Sequence, residues 1–227
     1  MQHHFARIDR LPPYVFAVID ELKLKARRAG EDIIDFGMGN PDNPPPQAVI
    51  EKLCEAARKP HNHRYSASRG ITKLRLAIAH YYQRRFGVEL DPESEVLVTL
   101  GVKEGFSHLM WAVVNPGDLV MVPTPAYPIH LYAPVFANGD LLHLPLESPL
   151  QLLDELQRAC RQHWPRPKVL VLNFPHNPTT TCVDLDFFRQ IVAFAREHEL
   201  IVVHDFAYAD LVFDGYQAPQ PAASAGR

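Results

Sequence analysis

The chain has 227 residues, 47% of them apolar and 22% charged, and a formal net charge of −3. That composition belongs to a globular chain and excludes collagen, coiled-coil rods and wholesale disorder. The 23 basic and 26 acidic residues leave no basic field to hold nucleic acid or an anionic membrane. No stretch reaches the length of a membrane span, and the N-terminus has no apolar signal region. Cys54, Cys160 and Cys182 are widely spaced and lack CxxC pairing, so they read as reduced thiols of a cytoplasmic protein, without a zinc site or disulfide frame.

In chain order, residues 14–29 have helical spacing and stop at Gly30, and a proline-rich connection at 37–46 leads to a second helix near 46–58. Residues 71–86 put Ile71, Leu74, Ile78, Tyr81, Tyr82 and Phe86 on one stripe, which predicts a helix with one face on a core. From 95 onward the pattern alternates. Strands are expected at 95–100, 118–123, 141–146, 168–174 and 200–205, and helices at 101–114, 128–137, 149–163 and 184–198. Short, continuously apolar strands between helices predict an α/β fold with a mainly parallel sheet covered on both faces. The last eleven residues, QAPQPAASAGR, carry no large apolar side chain and are expected to stay outside any core as a disordered tail.

In an open α/β sheet, ligands bind beyond the carboxyl ends of the strands. The residues following four of these strands therefore form a set: 101–105, 123–128, 174–179 and 205–208. Gly101 opens a helix whose first amides can cradle a phosphate, and Lys103 adds charge there, although glycine before a helix also serves simple capping. Tyr127, between Pro125 and Pro128, is a stiff aromatic that either stacks on a planar ring or fills a rim. Asn177-Pro178 is a turn whose amide both donates and accepts. Asp205 ends an apolar strand, where a carboxylate is costly unless something cationic meets it. An N-cap or a structural ion pair would satisfy it, and so would the protonated ring nitrogen of pyridoxal phosphate. Tyr208 stands three residues on, within reach of the same ligand. Jointly the four loops describe a site for a flat, phosphorylated, cationic heteroaromatic.

The stretches IDFGMGNPDNPPP, YSASRGITKLRLAIAHYY, GVKEGFSHLM, VPTPAYPIHLY, LNFPHNPTTTCVDLDFF and VVHDFAYADLVFDGY run from residue 5 to about 218. They resemble, in order, the N-terminal part of a class I/II, fold-type I aminotransferase of the alanine (glutamate–pyruvate) and diaminopimelate aminotransferase-like branch. The resemblance implies pyridoxal 5′-phosphate as cofactor, held at its phosphate by Val102, Lys103 and Glu104. It implies Tyr127 against the ring, Asn177 and Tyr208 at the 3′ oxygen, and Asp205 at the ring nitrogen. Gly39 and Asn40 would lie beside the substrate carboxylate, and Tyr65 would reach the partner subunit's cofactor across a homodimer. Substrates would be an amino acid and a 2-oxo acid, with no metal. Thr180 stands where the family pattern has a small residue.

The family's Schiff-base lysine lies beyond the Asp-x-x-Tyr motif, whereas the lysines here are 23, 25, 52, 59, 73, 103 and 168. The expectation is an incomplete half without its central catalytic residue, truncated or frameshifted. Its parts would be a segment 1–40 contributing to a small domain and dimer contacts, an incomplete cofactor-binding large domain 41–216, and the tail 217–227. Rival readings are a pyridoxal-phosphate carbon–sulfur lyase or decarboxylase of the same fold, and a non-catalytic binding remnant. A Rossmann dehydrogenase is disfavoured because no GxGxxG follows the first strand.

Overall fold

The structure is a computed structural model and describes residues 5–225 apart from 12, 38, 40 and 41. The chain divides into two compact units, one formed by the segment up to Leu11 with the chain from Arg69 onward, the other by Pro12–Ser68. The smaller unit carries α2 (Val15–Arg28), α3 (Gln47–Ala57) and a 3-10 turn at Pro60–Asn62, and neither of its helices has a buried residue. The larger unit begins with the short α1 (Ala6–Asp9) and resumes at α4 (Thr72–Phe86), which ends on Gly87 at φ 68°, a left-handed turn natural to glycine.

After α4 the chain alternates as expected: α5 (Val102–Val113), β1 (Leu119–Thr124), α6 (Pro128–Phe136), β2 (Asp140–Pro145), α7 (Pro149–Gln162), β3 (Pro167–Asn173), α8 (Leu185–Glu197) and β4 (Ile201–Asp205). Local chemistry marks the starts. The Ser148 hydroxyl accepts the Gln151 amide at 3.2 Å before α7, and the Asp184 carboxylate accepts the Phe187 amide at 2.8 Å before α8. The strands form one parallel sheet in the order β2-β1-β3-β4.

Successive side chains of a strand point to opposite faces, so a strand buried on both must be apolar throughout. β1 sends Met121 one way and Val120 and Val122 the other; β3 does the same with Leu170 and Leu172 against Val169 and Val171. Leu152 and Leu156 of α7 and Phe187, Phe188 and Ile191 of α8 close the first face. Phe106 and Met110 of α5 and Ala133 of α6 close the second. The register pairs Asn173 with Asp205, which brings the carboxyl ends of β3 and β4 level.

Two expectations differ from the structure. The run 95–100 forms no strand; Val96 is buried and the Val98 amide bonds to the Arg69 carbonyl at 3.2 Å, but no described strand lies alongside to pair with the run. Extended backbone becomes a strand only by pairing, which composition cannot supply. The segment from 217 is also not free of the core. Ala218, Gln220 and Pro221 are buried, Gln220 meets the Tyr82 hydroxyl at 3.4 Å, and α9 (Ala222–Ala225) follows. Small side chains need little room, so burial here takes no large apolar residue.

Ile191 is completely buried, whereas Leu97 is 64% exposed. Ile191→Ala should cost about 2–5 kcal/mol through lost burial and cavity formation, and Leu97→Ala no more than about 0.5 kcal/mol. Urea denaturation midpoints of the two variants check this; equal shifts would contradict the assigned core.

Candidate active site at the strand ends

The rim is assembled from the carboxyl ends of the strands inward. Gly101 has φ 86°, and a Cβ there would meet nothing within 4 Å, so the backbone turns into open space before α5. Among the described residues no side chain caps this helix, so the positive end of the helix dipole lies at Val102, Lys103 and Glu104. The Glu104 carboxylate accepts the Leu100 amide at 2.7 Å and lies 3.0 Å from His108. Glu104 can therefore offer an anion its amide but not its side chain.

Tyr127 precedes Pro128 at the start of α6 and is half-buried. The Lys103 ammonium lies over its ring, 5.4 Å from the centroid. One turn into α6, His130 meets Tyr127 edge-on at 5.8 Å between centroids and Phe106 of α5 at 5.2 Å. His130 and Asp205 are both buried, and His130 Nε2 is 2.9 Å from Asp205 Oδ2. The Ala207 amide donates to Asp205 Oδ1 at 3.1 Å. Burial pushes the Asp205 carboxyl up, but the hydrogen bond and charge of His130 and the Ala207 amide outweigh it and hold the carboxyl below its usual range. Each oxygen keeps a lone pair for a further cationic donor.

Asn173 ties the third loop to the fourth. Its amide donates to the Asp205 carbonyl at 2.9 Å and its side-chain oxygen accepts the Asn177 amide at 2.9 Å. Asn177 Nδ2 then donates to the Tyr208 hydroxyl at 2.9 Å. A cavity of about 680 Å³ opens beside the rim, lined there by Pro175, His176, Asn177 and Tyr208 and beyond it by Leu211 and Phe213. The structure thus links Lys103, Tyr127, Asp205, Asn177 and Tyr208 by contiguous contacts. Gly39 and Tyr65 belong to the smaller unit and are exposed there, and Asn40 lies outside the described residues. Lys168 is at the far end of β3, where it pairs with Asp118 at 2.6 Å. His130 and Asn173 were absent from the sequence-derived set.

Two further histidines brace the rim. His176 is buried, with Nδ1 2.8 Å from the Thr179 hydroxyl, which in turn is 2.7 Å from that of Thr181. His204 packs edge-on against Phe188 at 4.9 Å, its Nε2 beside the Phe174 backbone and its buried Nδ1 without a partner among the described residues. Burial lowers both pKa values to about 4. The native state thus binds fewer protons than the unfolded one between about pH 6.5 and 4, so stability is full above that window and falls through it on acidification. Each histidine should contribute up to about 3 kcal/mol to this loss. His204→Phe should flatten part of the slope in pH-dependent urea titrations, and an unchanged slope would contradict the neutral buried state.

Among the described residues no helix is long and apolar enough to cross a membrane, and no cluster of His, Cys, Asp and Glu could hold a metal ion. The family model for aminotransferase class I and II matches residues 31–225. The chain is 54% identical to the glutamate–pyruvate aminotransferase AlaC of Escherichia coli K12 over 96% of its own length and 53% of that protein's. It is 44% identical to an LL-diaminopimelate aminotransferase of Syntrophobacter fumaroxidans over 93% of this chain and 54% of the other. Its fold matches an alanine aminotransferase from Pyrococcus furiosus with a TM-score of 0.88 at 25% identity, covering 99% of this chain and 57% of that one. A probable N-succinyldiaminopimelate aminotransferase from Thermus thermophilus matches with a TM-score of 0.81 at 38% identity, over 92% and 56% of the two chains. The chain spans about half the length of the curated relatives it matches. With the family model covering most of its length, the chain belongs to the class I and II aminotransferases, and its parallel sheet with helices on both faces is that of fold-type I.

Proposed function

We propose that this chain forms the cofactor-cradling half of a pyridoxal-phosphate-dependent aminotransferase that moves an amino group between an amino acid of the alanine or glutamate type and a 2-oxo acid. The observation that carries this reading is the unbroken run of contacts from Lys103 through Tyr127 and His130 to Asp205, and from Asp205 through Asn173 and Asn177 to Tyr208. The donor set fits a phosphorylated cationic ring: uncapped helix amides for the phosphate, an aromatic face for the ring, and a buried carboxylate for a protonated ring nitrogen. Pyridoxal phosphate, when bound, supplies an electron sink that lets a bond at the amino acid's α-carbon break.

The chain's own residues divide the work. The amides of Val102, Lys103 and Glu104 hold the phosphate, and Tyr127 limits the tilt of the ring. Asp205, backed by His130, keeps a proton on the ring nitrogen, because a neutral ring cannot draw electrons as strongly. Asn177 and Tyr208, already bonded to one another, present a donor to the 3′ oxygen. Gly39 and Asn40 serve the substrate carboxylate. Tyr65 is fully exposed, as a residue completing a second copy's site in a homodimer must be. Three free thiols, two of them exposed, support a reducing, cytoplasmic setting.

Among the described residues Lys103 is the one lysine with a contact at the rim, and its backbone is part of the phosphate cradle. The chain by itself, supplied with cofactor, should therefore give no amino transfer from alanine to 2-oxoglutarate, and measurable turnover would contradict the assignment. A test of the ring contact uses pyridoxamine 5′-phosphate and absorbance. The bound ring should keep its nitrogen proton to a pH at least about one unit higher on the natural chain than on Asp205→Asn. Identical titrations would show that Asp205 does not face the ring.

A further inference from the structure

We infer that Lys103 is an exchangeable occupant of the ring site: its ammonium rests on Tyr127 until a ring displaces it, and then serves the phosphate. This rests on the cofactor reading above and adds to it. The ammonium stands over the Tyr127 ring at 5.4 Å from the centroid, held by attraction between a cation and the negative face of the ring. Neither partner is free to drift far. Lys103 is in the first turn of α5, and Tyr127 is set between Pro125 and Pro128 with His130 edge-on against it.

The covalent linkage of the ligand decides which side is contested. Ring and phosphate belong to one molecule, joined by a short methylene arm. A ligand whose phosphate sits on the α5 amides must bring its ring to Tyr127 from the α5 side, the side on which Lys103 lies. Stacked rings approach too closely to leave an ammonium between them. Lys103 must leave the face, and the group then nearest its flexible stem is the anion beside its own amide. One cation thus opposes binding of the ring and favours binding of the phosphate.

These two effects separate when the ligand is cut apart. The probes are pyridoxine, which has the ring alone, and pyridoxine 5′-phosphate, both alcohols that cannot condense with surface lysines. In equilibrium dialysis, Lys103→Met, which keeps the apolar stem, should bind pyridoxine about three-fold more tightly than the natural chain, the gain expected from removing a competing cation–ring contact. The same variant should bind pyridoxine 5′-phosphate about five-fold more weakly through loss of a charge pair. Lys103→Arg should behave as the natural chain in both. The resting contact is read separately by NMR of isotope-labelled, dimethylated lysines. The Lys103 signal, assigned by its loss in Lys103→Met, should be shifted upfield by the ring and should return to the position of the other lysines in Tyr127→Leu. An unshifted signal, or weaker or equal pyridoxine binding by Lys103→Met while the phosphate ester still binds, would overturn the exchange and leave the cofactor site standing. Failure of every variant to bind the phosphate ester would instead remove the cofactor site, and the exchange with it.

Discussion

A carboxylate buried at the end of an apolar strand is the constraint around which this molecule is organised. Asp205 closes β4 almost out of reach of water, where an unpaired charge would cost several kcal/mol. His130 meets one oxygen and the Ala207 amide the other. The His130 contact draws α6 onto the end of β4, and α6 in turn carries Tyr127 and packs on α5 through Phe106. The register of β3 with β4 sets Asn173 beside Asp205, and Asn173 fixes the loop of Asn177. Four segments distant in sequence thus become one rim because a single charge must be satisfied.

The rim is stiff because of what lies under it. β1 and β3 are apolar on both faces, so the strand ends that carry the polar groups emerge from a close-packed layer. His176 in its loop and His204 near the end of β4 lie in the same dry surroundings and remain neutral for the same reason. The opposite condition holds at the sheet's margin. Among the described residues β4 pairs on one side only, and Leu211 and Phe213, a few residues further along the chain, are 63% and 80% exposed. An open edge with apolar neighbours favours association with further polypeptide, in a chain that spans about half the length of its relatives.

Much of this is legible in the sequence. Strands β1 to β4 carry short apolar runs, and Asp205, Asn177 and Tyr127 stand out because charge, amide or proline interrupts each run as it ends. What stayed hidden depends on neighbours. His130 sits within PIHLYAPVF, an apolar helix in which one histidine reads as packing; only its place three residues after Tyr127 hinted at the rim. Asn173 reads as the last residue of a strand until register sets it against Asp205. The run 95–100 has strand composition and no strand, because pairing is a property of two segments. The buried Ala218 and Gln220 were missed because burial there depends on room and on the Tyr82 hydroxyl.

The central claim is that one ligand engages all four loops at once. Backbone amide NMR during titration with pyridoxine 5′-phosphate measures this directly. The account predicts that the signals of Val102 to Glu104, Tyr127, Asn177, and Asp205 with Tyr208 shift together along a single binding curve. Shifts confined to the start of α5, with Asp205 and Asn177 unmoved at saturation, would reduce the site to a helix end that holds phosphate and would contradict it.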